Sequence, residues 1–138
     1  MIDHDTKRVH VTAVVLRHAD SGHILTVRKR GTSMFMQPGG KPEPGESAVD
    51  AGIREIREEI GVNLDPTQMR LLGVFSAPAA NEPGYTVHST VFTHPPVQGI
   101  APAAEIEEVR WVDENQPLTD DLAPLMVTRI LPALRTQG

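Results

Sequence analysis

Residues Gly40 to Val62 read GKPEPGESAVDAGIREIREEIGV, and the rest of the 138-residue chain is organised around them. The stretch opens with a loop rich in glycine and proline, made of Pro38, Gly39, Gly40, Pro42, Pro44 and Gly45. Ser47 stands where a helix cap is wanted, with Asp50 three residues on as a short capping box. Ala48, Gly52, Ile56 and Ile60 recur every four residues, widened by Val49 and Ile53, which predicts a helix over Ser47 to Ile60 with one buried stripe. Gly61 supplies a left-handed closing residue. Glu55, Glu58 and Glu59 are related by i, i+3 and i+4 and share a face. Like charges so spaced repel, and the helix dipole disfavours anions in the last turn. No Lys or Arg stands four residues after any of them to relieve this. An acidic face is often merely solvated, but one gathered at the wrong end of a helix points to a positive counterpart.

A fixed frame favours that counterpart. The stretch resembles the Nudix box, G-x5-E-x7-R-E-U-x-E-E-x-G-U with U aliphatic. Gly40, Glu46, Arg54, Glu55, Ile56, Glu58, Glu59, Gly61 and Val62 fill every specified position. At average residue usage such a match has a chance probability on the order of 10⁻¹⁰ per starting point.

Composition sets the outer bounds. The length suits one domain over residues 1–138 with a single sizeable core. A net charge of −5 argues against a general nucleic-acid or membrane-surface binder, though not against a small anion held through metal ions. The chain has no cysteine, which excludes disulfides, thiolate catalysis and cysteine-based zinc sites. The apolar runs are too short to span a bilayer, and MIDHDTKRVH lacks the apolar core of a signal peptide. A reduced, cytoplasmic setting is the default expectation.

Strands are expected at Val9 to Leu16, at His23 to Arg28 as its hairpin partner, at Leu71 to Ser76, at Tyr85 to His94 and at Val109 to Val112. A second amphipathic helix is expected from about Leu122 to Leu134, with Pro124 in its first turn. Strands interrupted by two helices imply an α/β chain with a mixed sheet covered on both faces. The resemblance implies the same architecture, the Nudix α/β/α sandwich around a central mixed sheet.

The resemblance also implies hydrolysis of the diphosphate linkage of a nucleoside diphosphate derivative, with magnesium or manganese as cofactor. Hard dications take oxygen ligands, and Glu55, Glu58 and Glu59 are the implied set. One of the three would also orient or deprotonate the water, and the sequence does not say which. Gly39 is the implied carbonyl ligand, with Gly40 beside it. Glu105 is the choice for an additional ligand among Glu105, Glu107 and Glu108. Arg54 reads as a positioner of box glutamates, and Glu46 as a structural partner for it. Lys41, Arg28 and Arg30 are the expected phosphate contacts, against the plainer reading of a solvated charge run. Gly52 in mid-helix predicts close packing on the sheet. Asp120 and Asp121 read as helix caps, the histidines carry no ligand spacing, and Trp111 reads as core.

The leading expectation is a pyrophosphohydrolase taking an ordinary or oxidised nucleoside triphosphate to the monophosphate and pyrophosphate. An ADP-ribose or other nucleoside-diphosphate-sugar diphosphatase is the alternative, given Pro78 sixteen residues after Val62. A non-catalytic nucleotide-binding module is the alternative from another class. The expected partner is a small-molecule nucleotide, and a homodimer is the assembly that the resemblance implies.

Overall fold

The run of β-branched residues near the N-terminus becomes the central strand, β1 (Arg8–Val15). The computed structural model describes residues 7–137. The reading of the N-terminal stretch as no signal peptide therefore falls largely outside the described residues. β1 carries a core on each face over its second half, where Thr12 to Val15 are all buried, whereas its first half alternates with Arg8 and His10 exposed. Ala13 and Val15 join one cluster with Met126, Ile130 and Leu131. Val14 and Leu16 join the other with Ile56 and Ile60.

β1 is flanked by the two-residue β3 (Gly39–Gly40), antiparallel, and by β5 (Thr86–Thr93), parallel. β4 (Arg70–Pro78) adds antiparallel to β5, giving a four-stranded mixed sheet in the order β3-β1-β5-β4. The remaining strands, β2 (Ile24–Lys29) and β6 (Ile106–Val112), form a separate antiparallel pair. This corrects the expected hairpin. The chain does turn back after β1, with a single bridge from Arg17 to Ile24, but β2 then pairs with β6. Both edges of β1 are already taken by β3 and β5, so no ladder is open to β2.

Helix α1 (Ala48–Ile60) begins at Ser47, whose side chain accepts from the Asp50 N–H, and ends at Gly61 with φ 73°. Its buried residues are Ala51, Gly52, Ile56, Glu59 and Ile60, so the stripe is rotated from the one expected and includes a carboxylate. A Cβ at Gly52 would meet Thr12, Val14 and Met69 at 3.2–3.3 Å, the close packing on the sheet that its position implied. The C-terminal segment is helical through residues 124–136, but not uniformly α. Met126–Ile130 is a π turn, closed by the Leu131 N–H donating to the Met126 carbonyl, and α2 (Leu131–Thr136) follows. Pro132 explains the widening: it has no N–H to donate, and its ring crowds the carbonyl four residues back. The two helical segments cover opposite faces of the mixed sheet, as the α/β/α reading required. Among the described residues, no helix is long and apolar enough to cross a membrane.

Ile56 is fully buried between α1 and the sheet. Ile56→Ala should lower the unfolding free energy by about 2–5 kcal/mol in a denaturant titration. Gly61→Ala meets no clash but must hold a left-handed φ, so its cost should be about 1 kcal/mol.

Candidate active site

Arg54 is the hub of the box. Its Nε and Nη2 donate to both Glu46 carboxylate oxygens at 2.8 and 2.9 Å, a two-toothed contact. Nη1 reaches Glu58 at 3.0 Å and Glu55 at 3.3 Å, and Nη2 also donates to the Lys41 carbonyl at 3.1 Å. Relief of the acidic face thus comes from an arginine four residues before Glu58 rather than from a cation after it. The hydrogen bond from Arg54 holds Glu46 down at about 2, and its Glu46 partner in turn raises Arg54. Both stay ionised across the physiological range.

The three helix carboxylates are not equivalent. Glu58 is half exposed and turned toward Arg54. Glu55 is mostly covered, and burial, followed by its hydrogen bond with Glu58, raises its pKa. Glu59 is 1% exposed. Its Oε1 accepts from the Gly39 N–H at 2.9 Å, whereas its Oε2 is buried with no partner. Burial pushes Glu59 up to about 8, against the Gly39 N–H and the charge of Lys29, which pull it down.

The glycine pair makes this approach feasible. A Cβ on Gly40 would overlap the Glu55 carboxylate, and one on Gly39 would overlap the Thr12 carbonyl of β1. Two adjacent glycines are therefore required by two different neighbours, one on the helix and one in the sheet.

A cleft of about 520 Å³ opens beside this corner. Gly39, Gly40, Lys41, Glu55, Lys29 and Glu105 form its polar wall. Elsewhere its lining is largely aliphatic, from β1, from β5 and from the C-terminal helical segment. Lys29 was missed in the sequence, and Arg28 and Arg30 were named instead. Alternation along β2 decides between them: Arg28 pairs with Glu108 and the Thr32 carbonyl, Arg30 pairs with Glu107, and neither lines the cleft. Lys29, of opposite parity, bridges to Glu105 at 3.3 Å inside it.

Glu105 faces the cleft while largely exposed, and its charge contributes to raising Glu59. Asp121 is engaged by Arg110 at 2.9 and 3.0 Å, which separates it from the cleft. Trp111 packs in the α1-side core, edge-on to His18. Among the described residues, no three acidic or histidine side chains meet as a finished metal-ligand set, and Glu58 is turned onto Arg54. The donors present still fit a hard dication. The orphaned buried Oε2 of Glu59 and the covered Glu55 offer oxygen only, the chemistry that magnesium and manganese take.

The NUDIX domain family model matches residues 6–131. The chain is 30% identical over 104 residues to a putative 8-oxo-dGTP diphosphatase of Bacillus subtilis (strain 168), covering 75% of this chain and 66% of that one. It is 28% identical over 123 residues to the CTP pyrophosphohydrolase of Escherichia coli (strain K12), covering 86% and 85%. With several other curated relatives the match spans only 23–39% of their length. The fold superposes on a MutT protein from Methanosarcina mazei Go1 with a TM-score of 0.79 at 21% identity, over 95% and 96% of the two chains.

Two outcomes follow from this geometry. Arg54→Gln strands three carboxylates and should cost about 2 kcal/mol in urea unfolding. Glu59 titrates higher in the fold than in the unfolded chain, so between pH 4.5 and about 8 the unfolded state has shed the proton that the folded state keeps. In EDTA, stability should therefore fall as pH rises through that window, by several kcal/mol in all. Glu59→Gln should flatten the profile, measured as the unfolding midpoint at pH 5 to 8.5.

Proposed function

The chain belongs to the NUDIX family, and from that premise we propose that it is a divalent-cation-dependent hydrolase of phosphoric anhydride bonds. The proposed substrate is an ordinary or oxidised nucleoside triphosphate, cleaved to the monophosphate and pyrophosphate. In this reading residues 1–138 form the single domain that carries the activity. The observation behind this reading is the buried, unpartnered Glu59 oxygen beside Glu55, held against a glycine pair at the polar wall of a largely aliphatic cleft. The two relatives named for triphosphate substrates support the substrate class.

In this reading Glu55, Glu58 and Glu59, with the Gly39 carbonyl and Glu105 as a further donor, would hold magnesium or manganese, which would supply polarisation of phosphorus and a lowered pKa for the attacking water. The chain's own residues do the rest. Arg54 fixes the rotamers of Glu55 and Glu58 and keeps Glu46 in place below them, so the acidic groups do not rearrange as charge builds up. Lys29 and Lys41 meet the phosphate oxygens from the cleft wall, and the aliphatic walls take the base out of water. Water's oxygen bonds to one phosphorus, the bridging oxygen leaves with the departing phosphate, and the glutamates accept the released proton.

The test is a phosphate-release screen with magnesium over ordinary and 8-oxo nucleoside triphosphates, ADP-ribose, diadenosine polyphosphates and nucleotide sugars. Turnover of triphosphates should drop by about 10²-fold or more in Glu59→Gln and vanish in EDTA. Turnover of ADP-ribose or a nucleotide sugar instead would move the substrate class. Nucleotide binding with no turnover anywhere would leave a non-catalytic module.

A further inference from the structure

The sheet floor of the cleft is apolar but for one side chain. Val9, Val11 and Ala13 of β1 line it together with Val87 and Ser89 of β5. Ser89 is fully buried, and its Oγ has no hydrogen-bond partner. The strand gives it no local recourse. β5 lies between β1 and β4, with Ser89 opposite Val11 on one side and Phe75 on the other, so the peptide groups around it are taken up in the ladders. The hydroxyl is closed off from water. Met126 of the π turn, a flexible unbranched side chain that also lines the cleft, is what a ring would move aside to meet it.

The strand registers say which part of a nucleotide would arrive there. Ser89 is level with Val11, two residues along β1 from Ala13, and Ala13 is level with Gly39. β3 and β5 flank β1 on opposite sides. With a rise of about 3.3 Å per residue and about 4.8 Å between strands, Ser89 stands roughly 12 Å from Gly39. Phosphates gathered at the glycine corner are too far away to use the hydroxyl. The group beyond the sugar is what reaches it, and a floor of valines suits a flat ring. A hydroxyl both donates and accepts, so a ring nitrogen, a carbonyl or an amino group satisfies it equally. Ser89 therefore registers that a base is present without choosing among bases.

We propose that Ser89 anchors the nucleobase, its hydroxyl finding in the bound ring the partner that the folded chain withholds. The proposal rests on the nucleotide reading above and adds to it the residue that holds the base end. An unpartnered buried hydroxyl lowers the stability of the free protein, and the same hydroxyl raises affinity once a base meets it. Removing it should therefore move stability and affinity in opposite directions, which a serine with a merely structural role would not do.

The experiment is calorimetric titration of the wild-type protein and Ser89→Ala in magnesium, alongside the hydrolysis screen. The ligands are GMP, AMP, UMP and CMP, with ribose 5-phosphate and inorganic pyrophosphate as probes that carry no base. Ser89→Ala should weaken the best-bound monophosphate by about fivefold or more and leave the two base-free probes within about twofold of wild type. Its thermal midpoint without ligand should rise by about 2–5 °C. Ser89→Cys, which offers only a weak donor, should show the same loss of monophosphate affinity and serves if Ser89→Ala does not fold. Unchanged monophosphate affinity in a folded variant, an equal loss for the base-free probes, a midpoint that falls together with affinity, or no monophosphate binding at all would overturn the assignment. Triphosphate turnover with monophosphate binding unmoved in Ser89→Ala would remove the anchor and leave the enzymatic reading. A base-dependent loss in a protein that hydrolyses nothing would keep the anchor and remove that reading.

Discussion

Glu59 sits on the core side of α1, in the stripe that also buries Ile56 and Ile60. A carboxylate there has given up water for one peptide N–H and one oxygen without a partner. Left ionised, such a group is strongly unfavourable, and the fold pushes its proton affinity up accordingly. Much of the surrounding structure makes sense as what this position demands. The peptide of Gly39 must come within hydrogen-bonding reach, so β3 is pinned to β1 at two residues where side chains would collide.

Arg54 solves the opposite problem on the exposed side of the same helix. It gathers Glu46, Glu55 and Glu58 and links them to the loop through the Lys41 carbonyl. Charge that would splay the last two turns of the helix is thereby fixed in one arrangement. The helix presents a gradient of carboxylates, from Glu58 in solvent, through Glu55, to Glu59 in the core. A cation would meet ligands whose desolvation has already been met by folding, which is what preorganisation means for a charged site.

The cleft depends on the layering of the sheet. α1 covers the even-numbered side of β1 and the C-terminal helical segment covers the odd-numbered side. Glu55 nevertheless reaches the cleft on the second side, because the glycine pair at the sheet edge leaves a gap where side chains would stand. The π turn before Pro132 belongs to the same wall, bringing Met126 and Ile130 over the aliphatic part of the cleft. An acidic helix and an apolar pocket from opposite layers therefore open into one space.

Local chemistry was legible along the chain. Ser47 and Gly61 fixed the ends of α1, Gly52 its close approach to the sheet, and the spacing of the box its glutamates and Arg54. These depend on residues within a few positions of one another, where helix geometry converts spacing directly into neighbourhood. The pairing of β2 with β6, the rank order of burial among Glu55, Glu58 and Glu59, and the choice of Lys29 over Arg28 and Arg30 were not legible. Each is decided by which strand or helix arrives from a distant part of the chain. A strand's partners depend on which edges remain open, and a carboxylate's proton affinity depends on how much water its neighbours displace. The sequence determined the elements and the reagents they carry; tertiary packing decided which of those reagents face the cleft, because burial is a property of the assembled layers and of no single segment.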